Sequence, residues 1–195
     1  MVKTERKESI LSAAEELFAE KGFYVCSISD IIQKAGIARG TFYLYFDSKK
    51  SIFDELLDGF FEAIDERVKR INIHDESVNP MAELRNNIMR VAELLYERGN
   101  LTRIVLMYAS GVDTDFDQKI KTFYNRILSM IEGAVRLGVE MEILKPSDHK
   151  VVSLCILGCV KQVATAIIDE EYSVENIEKI VDDMIQFALT GILIR

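Results

Sequence analysis

Apolar residues recur at the 3.6-residue period along almost the whole chain, which predicts helix after helix and no strand. Ile10, Leu11, Ala14, Leu17 and Phe18 put one stripe on a helix over residues 4–21. Gly22 follows where a left-handed glycine ends a helix, with Phe23 placed to pack back on it. Ser27-Ile-Ser-Asp30 has the spacing of a capping box and opens a short helix to about residue 34, which Gly36 ends. A second short helix is predicted over 38–46. Ser48 then caps a long one reaching residue 71, with Ile52, Leu56, Phe60 and Ile64 on one side.

Asn79-Pro80 reads as cap and first residue of a helix running to residue 98. Asn100 is expected to cap a shorter helix to residue 109. Phe116, Ile120, Phe123, Ile127, Met130 and Ala134 share a stripe on a helix over 114–137. Ser147 is expected to cap a helix to residue 169, and Ser173 the last one, to about residue 194. The expectation is an all-α bundle of about nine helices joined mostly by short loops.

The last two helices are apolar nearly all round. Leu154, Cys155, Ile156, Leu157 and Val160 surround one; Ile180, Val181, Met184, Ile185, Ala188, Leu189 and Ile192 cover well over half of the other. A helix of that kind must be buried on most sides. A subunit interface through Leu157, Val160, Ala164, Ile180, Met184 and Ala188 supplies the burial most simply, and a central helix of a monomeric bundle is the alternative.

Composition narrows the function. The N-terminus carries Lys3, Arg6 and Lys7 but no apolar core of a signal sequence follows, because Glu5, Glu8, Glu15 and Glu16 interrupt it. The apolar run over 151–168 carries Lys161 and Gln162 and is read as too short to span a bilayer comfortably, so a cytoplasmic protein without a membrane partner is expected. Three cysteines make no disulfide framework; Cys155 and Cys159 are read as packing residues rather than metal or redox ligands. His74 and His149 are expected in exposed inter-helix segments. No nucleophile constellation or phosphate loop is present, so no enzyme, no cofactor and no metal site are expected. The net charge is −8, yet residues 1–50 hold eight Lys/Arg against seven Asp/Glu. The acidity belongs to the rest of the chain.

Residues 27–46 pair two short helices across Ala35-Gly36-Ile37-Ala38, the spacing of a helix-turn-helix whose second helix enters the DNA major groove. On that helix Phe42 and Phe46 point inward with Tyr45 beside them, and Gly40 and Leu44 fall opposite. Arg39 and Tyr43 flank one edge and Thr41 the other. Tyrosine hydroxyls at such margins suit phosphates, Gly40 lets the backbone approach the duplex, and Leu44 suits a thymine methyl. Lys49 and Lys50 begin the next helix, where amides and ammonium groups together favour a phosphate.

Lys21 to Phe53, KGFYVCSISDIIQKAGIARGTFYLYFDSKKSIF, resembles the N-terminal DNA-binding region of TetR-family transcriptional regulators. Asp30-Ile31, Ala35-Gly36-Ile37, Gly40-Thr41-Phe42-Tyr43, Tyr45-Phe46 and Ser48-Lys49 carry the pattern. Ala38 departs from it where Ser or Thr usually caps the recognition helix, and Leu44 and Cys26 stand where relatives often have His and Thr. The resemblance implies that Thr41, Tyr43, Tyr45 and Lys49 contact phosphates and that Arg39 and Leu44 read base edges. It also implies that Ser27 and Ser29 set the first helix against the DNA backbone.

The resemblance further implies a DNA-binding domain over 1–47 and an effector-binding and dimerisation domain over 48–195. The protein is then a homodimer on palindromic double-stranded operator DNA, released when a small-molecule effector shifts the fourth helix. Tyr96, Met107, Tyr108, Phe123, Tyr124, Ile127 and Met130 lie on helices that line the effector pocket in relatives, though each is equally an ordinary core residue. The apolar wall in an acidic domain points to a hydrophobic or cationic amphiphile; fatty acyl-CoA stays open, without a basic cluster for its phosphates. A helical ligand-binding or interaction module with a vestigial helix-turn-helix is the alternative to a repressor.

Overall fold

A computed structural model of the chain describes residues 3–71, 77–108, 114–169 and 176–190. The described residues form nine α-helices and one π segment, with no strand among them. In order they are α1 (Lys3–Val25), α2 (Ile28–Ala35), α3 (Arg39–Phe42), α4 (Lys49–Arg67), α5 (Pro80–Glu97) and α6 (Gly99–Arg103). The π segment (Ile104–Tyr108), α7 (Thr114–Glu140), α8 (His149–Ile168) and α9 (Ile177–Thr190) complete the chain. Two compact units are distinguished: Met1–Asp65 with Arg98–Ile120, and Glu66–Glu97 with Lys121–Arg195.

The first unit is built on an aromatic cluster. Phe18, Phe53 and Phe116 are fully buried. The Phe53 ring meets Phe18 at 5.4 Å, Phe23 at 4.9 Å and Phe116 at 4.8 Å, each edge-on or nearly so, the arrangement that ring quadrupoles favour. Ile10, Ala14, Ile31, Phe42, Ile52, Leu57 and Leu101 close the core around it. Ion pairs on the surface link its helices: Lys119 to Asp54 and to Asp58, the latter at 2.7 Å, and Lys50 to Asp115 at 2.9 Å. Such exposed pairs each contribute at most about 1 kcal/mol.

In the second unit Arg85 of α5 reaches α9, donating to both carboxylate oxygens of Asp182 at 2.6 and 2.8 Å and to Glu178 at 2.9 Å. The guanidinium, with burial opposing it, holds the Asp182 carboxyl below its ordinary value. Buried Asn87 exchanges two hydrogen bonds of 2.8 Å with the backbone of Lys69, and Arg90 Nε donates to the Arg67 carbonyl at 3.0 Å. These side chains take over the end of α4, which stops at Arg67 and not at 71.

Several helix ends differ from the sequence expectation. Asp148, not Ser147, caps α8, accepting from the Lys150 and Val151 amides at 3.0 and 3.1 Å. The Ser147 hydroxyl is buried without a partner among the described residues. Asn100 lies inside α6, which begins at Gly99 with no side-chain cap. Asn176 accepts from the Lys179 amide at 3.1 Å at the start of α9; Ser173 and the chain beyond residue 190 lie outside the described residues, as does His74. His149 is the first residue of α8 and half-buried, not in an exposed linker. On α7 Phe116, Ile120 and Phe123 are buried as expected, whereas Met130 and Ala134 are exposed and Val135 is buried in their place.

Candidate nucleic-acid interface

α2 begins with a complete capping box. The Asp30 amide donates to the Ser27 hydroxyl at 3.1 Å, and the Ser27 amide donates to the Asp30 carboxylate at 2.8 Å. Lys21 also donates to Asp30, at 2.9 Å. The Ser27 amide first, then Lys21 and the Ser27 hydroxyl, hold the Asp30 carboxyl at about 2, below its ordinary 3.8. A depressed carboxyl contributes stability above pH 4 that is lost as pH falls toward 2. Ser27→Ala is expected to cost about 1 kcal/mol at neutral pH. Thermal melts of wild type and variant across pH 7 to 2 should both fall toward the acid end, because the residue 27 amide donates to Asp30 in either chain. Most of the gap between them should persist, because the bond the variant loses runs from the Asp30 amide to the Ser27 hydroxyl.

Gly36 ends α2 at φ 64, a conformation that favours glycine. α3 starts at Arg39 after Ala38, which is extended and offers no side-chain cap, as its methyl side chain dictates. The regular α-helix covers only Arg39–Phe42. Beyond it the chain keeps turning: Leu44 and Tyr45 amides donate three residues back at 3.2 and 3.0 Å, and Phe46 four residues back at 3.1 Å. The expected 38–46 helix is thus one α-helical turn closed by tighter turns, with the same inward and outward faces.

Those faces separate sharply. Phe42 is fully buried and Phe46 nearly so, whereas Leu44 is 77% and Tyr43 45% exposed. Arg39 is exposed and its guanidinium lies 5.9 Å from the Tyr43 ring centroid. Thr41 and Tyr45 are half-buried, and Ser27 and Ser29 are exposed at the start of α2. Gly40 is exposed, and a Cβ built there meets nothing within 4 Å. Packing within the chain therefore gives no reason for a glycine at position 40.

α4 opens with a second reciprocal cap. The Ser51 amide donates to the Ser48 hydroxyl at 3.1 Å, and the Ser51 hydroxyl donates to the Ser48 carbonyl at 2.8 Å. The Lys49 ammonium turns away from this helix start to the Phe23 carbonyl in the last turn of α1 and to the Cys26 carbonyl just beyond it, the latter at 2.6 Å. Sequence reasoning missed that bond; a lysine on the first residue of a helix, against the dipole, is the signal that pointed to it. It also missed Tyr24 and Val25, 68% and 71% exposed beside the α2 start, and Phe187, 71% exposed on α9.

The effector candidates do not share one environment. Phe123 is buried in α7, while Tyr124 and Ile127 are half-buried and Met130 is exposed. The Lys161 ammonium of α8 lies 4.4 Å from the Tyr124 ring centroid, and burial raises the Tyr124 hydroxyl above its ordinary value. Tyr96 on α5 and Met107 in the π segment are both exposed. The Tyr108 side chain lies outside the described residues. Leu157, Val160, Ala164, Ile180, Met184 and Ala188 are all half-exposed in the single chain.

Two short helices joined by a tight turn, with one aromatic face buried and the other face presented, form a helix-turn-helix. Residues 10–56 match the family described as bacterial regulatory proteins, tetR family. The chain is 31% identical over 159 residues to an uncharacterised HTH-type transcriptional regulator, YvdT, of Bacillus subtilis strain 168, covering 80% of this chain and 79% of that one. It is 28% identical over 170 residues to the fatty acid metabolism regulator protein of the same organism, covering 84% of each. A solved structure of the ketosteroid transcriptional regulator KstR2 of Mycobacterium tuberculosis superposes with a TM-score of 0.80 at 24% identity, covering 100% of this chain and 98% of that one. The chain belongs to the tetR family of bacterial transcriptional regulators.

Proposed function

We propose that the protein is a homodimeric repressor that binds a palindromic operator and is released by a small hydrophobic or amphipathic effector. The observation that carries the DNA reading is the exposure of Arg39, Gly40, Tyr43 and Leu44 on α3 and the turn after it, on the side that Phe42 and Phe46 leave free. In this reading Arg39 and Leu44 meet base edges, and Ser27, Ser29, Thr41, Tyr43 and Tyr45 meet phosphates. Residues 1–47 do the binding, and 48–195 supply the effector pocket and the dimer contact. The cytoplasm is the compartment where such a protein meets its DNA.

Gly40→Ala provides a specific check. Alanine has the better helix propensity and no neighbour to clash with, so thermal stability should stay level or rise. Operator affinity is expected to fall about tenfold, because the added methyl holds the duplex away from α3. Fluorescence anisotropy and a thermal melt on the same preparation separate the two effects.

At twenty residues, α8 is long and apolar enough by length and composition to cross a bilayer, a length the sequence reading took as marginal. Within this unit only its Ser153 is buried, and Val151 and Leu154 are 54% and 50% exposed. Cover by α8 and α9 of a second copy accounts for that face in a family of paired DNA readers. The relative named for fatty acid metabolism, together with the apolar α7 candidates, favours an acyl-chain effector. Titrating the operator complex with a fatty acid, a fatty acyl-CoA and a cationic amphiphile should show one class weakening binding by at least about tenfold. Constant affinity across the panel, with no thermal shift, contradicts the effector assignment.

A further inference from the structure

Lys49 is the first residue of α4, where the helix dipole is positive and an ammonium is disfavoured. Its charge is received by another helix end. Nζ donates to the carbonyls of Phe23 and Cys26, the latter at 2.6 Å, with the Tyr24 carbonyl at 3.4 Å. The Phe23 ring centroid lies 4.3 Å away and completes the seat. Phe23 and Tyr24 lie in the last turn of α1, past the kink at Gly22, where carbonyls lack helical partners. The backbone at Gly22, at φ 79 and ψ 162, breaks the helical path just before them. An ammonium has three N–H donors, and three carbonyls stand around this one.

We propose that Lys49 is a positioning residue of the DNA interface and not one of its phosphate contacts. It ties the amino end of α4 to residues 23–26, the segment that leads directly into the Ser27 cap of α2. The starts of α2 and α4 are thereby fixed relative to each other, and the N–H donors of the ammonium are already engaged by carbonyls. Cys26 is fully buried and anchors the same segment. The inference rests on reading α2 to α4 as the DNA interface.

Salt dependence separates the two roles. A lysine that neutralises a phosphate contributes a slope of about 0.9 to the fall of log K with log salt, or about 1.8 for a dimer using it twice. The dimeric full-length chain is titrated with its selected operator at several salt concentrations, and Lys49→Met is compared with wild type. The proposal predicts affinity lower by about tenfold, as for lost charge-assisted hydrogen bonds, with the slope unchanged. It also predicts a melting temperature about 5 °C lower without DNA. Lys49→Gln, whose amide still donates to two carbonyls without carrying charge, should keep the slope and recover part of both losses; it serves if the methionine variant folds poorly. A slope shallower by about 1.8 with an unchanged melt, or no change in affinity, overturns the proposal. A wild-type chain with no salt slope fails earlier and removes the DNA reading itself.

Discussion

Phe53→Ala is expected to lower the stability of the first packing unit by about 3–5 kcal/mol. Phe53 is fully buried, and three other aromatic rings stand within 5.5 Å of its own. Alanine leaves a cavity that rigid rings from α1 and α7 cannot collapse to fill, and it removes edge-on ring contacts worth about 0.5–1.5 kcal/mol each. Urea unfolding followed by near-UV circular dichroism should show the midpoint falling, with operator binding lost at temperatures where wild type still binds. An unchanged midpoint excludes this cluster as the organising core.

The second large effect concerns assembly. Phe187 is 71% exposed on α9, so Phe187→Asp should leave the single-chain fold intact. If α8 and α9 pair with their copies, the same change places two carboxylates in an apolar contact and splits the dimer. A dimeric reader gains about 10²–10⁴ in apparent affinity from holding two half-sites at once, and the monomer forfeits it. Sedimentation equilibrium should report a monomer, and anisotropy an operator affinity at least about a hundredfold weaker, with the helical circular dichroism unchanged. A variant that remains dimeric contradicts the interface.

What the sequence made legible was local. Ser27 with Asp30, Gly36, Ser48 and Asn79-Pro80 each signal a helix end through partners within four residues, and each stands as read. The division of residues 42–46 into inward Phe42 and Phe46 and outward Leu44 followed from angular position alone. Non-local bonds were not legible. α4 stops at Arg67 because Asn87 and Arg90 take its last carbonyl and the following backbone, from about twenty residues further on. Lys49 was read toward a phosphate because its carbonyl partners lie on the far side of two helices in sequence. Asp148 and Ser147 are adjacent residues of equal capping ability, and periodicity cannot choose between them. On α7 the stripe was placed through Met130 and Ala134, but a 27-residue helix drifts around its axis, and the core takes Val135 instead.

The central claim is that the exposed face of α3 reads DNA sequence. Selection of bound sites from random duplex DNA, carried out in parallel with the wild-type chain and Leu44→Ala, tests it most directly. Wild type should select a two-fold symmetric motif, its half-sites spaced to meet successive major grooves. Leu44→Ala should select the same symmetry and spacing with altered base preference at one position in each half-site, where a thymine methyl met the leucine. No enriched motif for wild type, or an identical motif for both proteins, would contradict the claim.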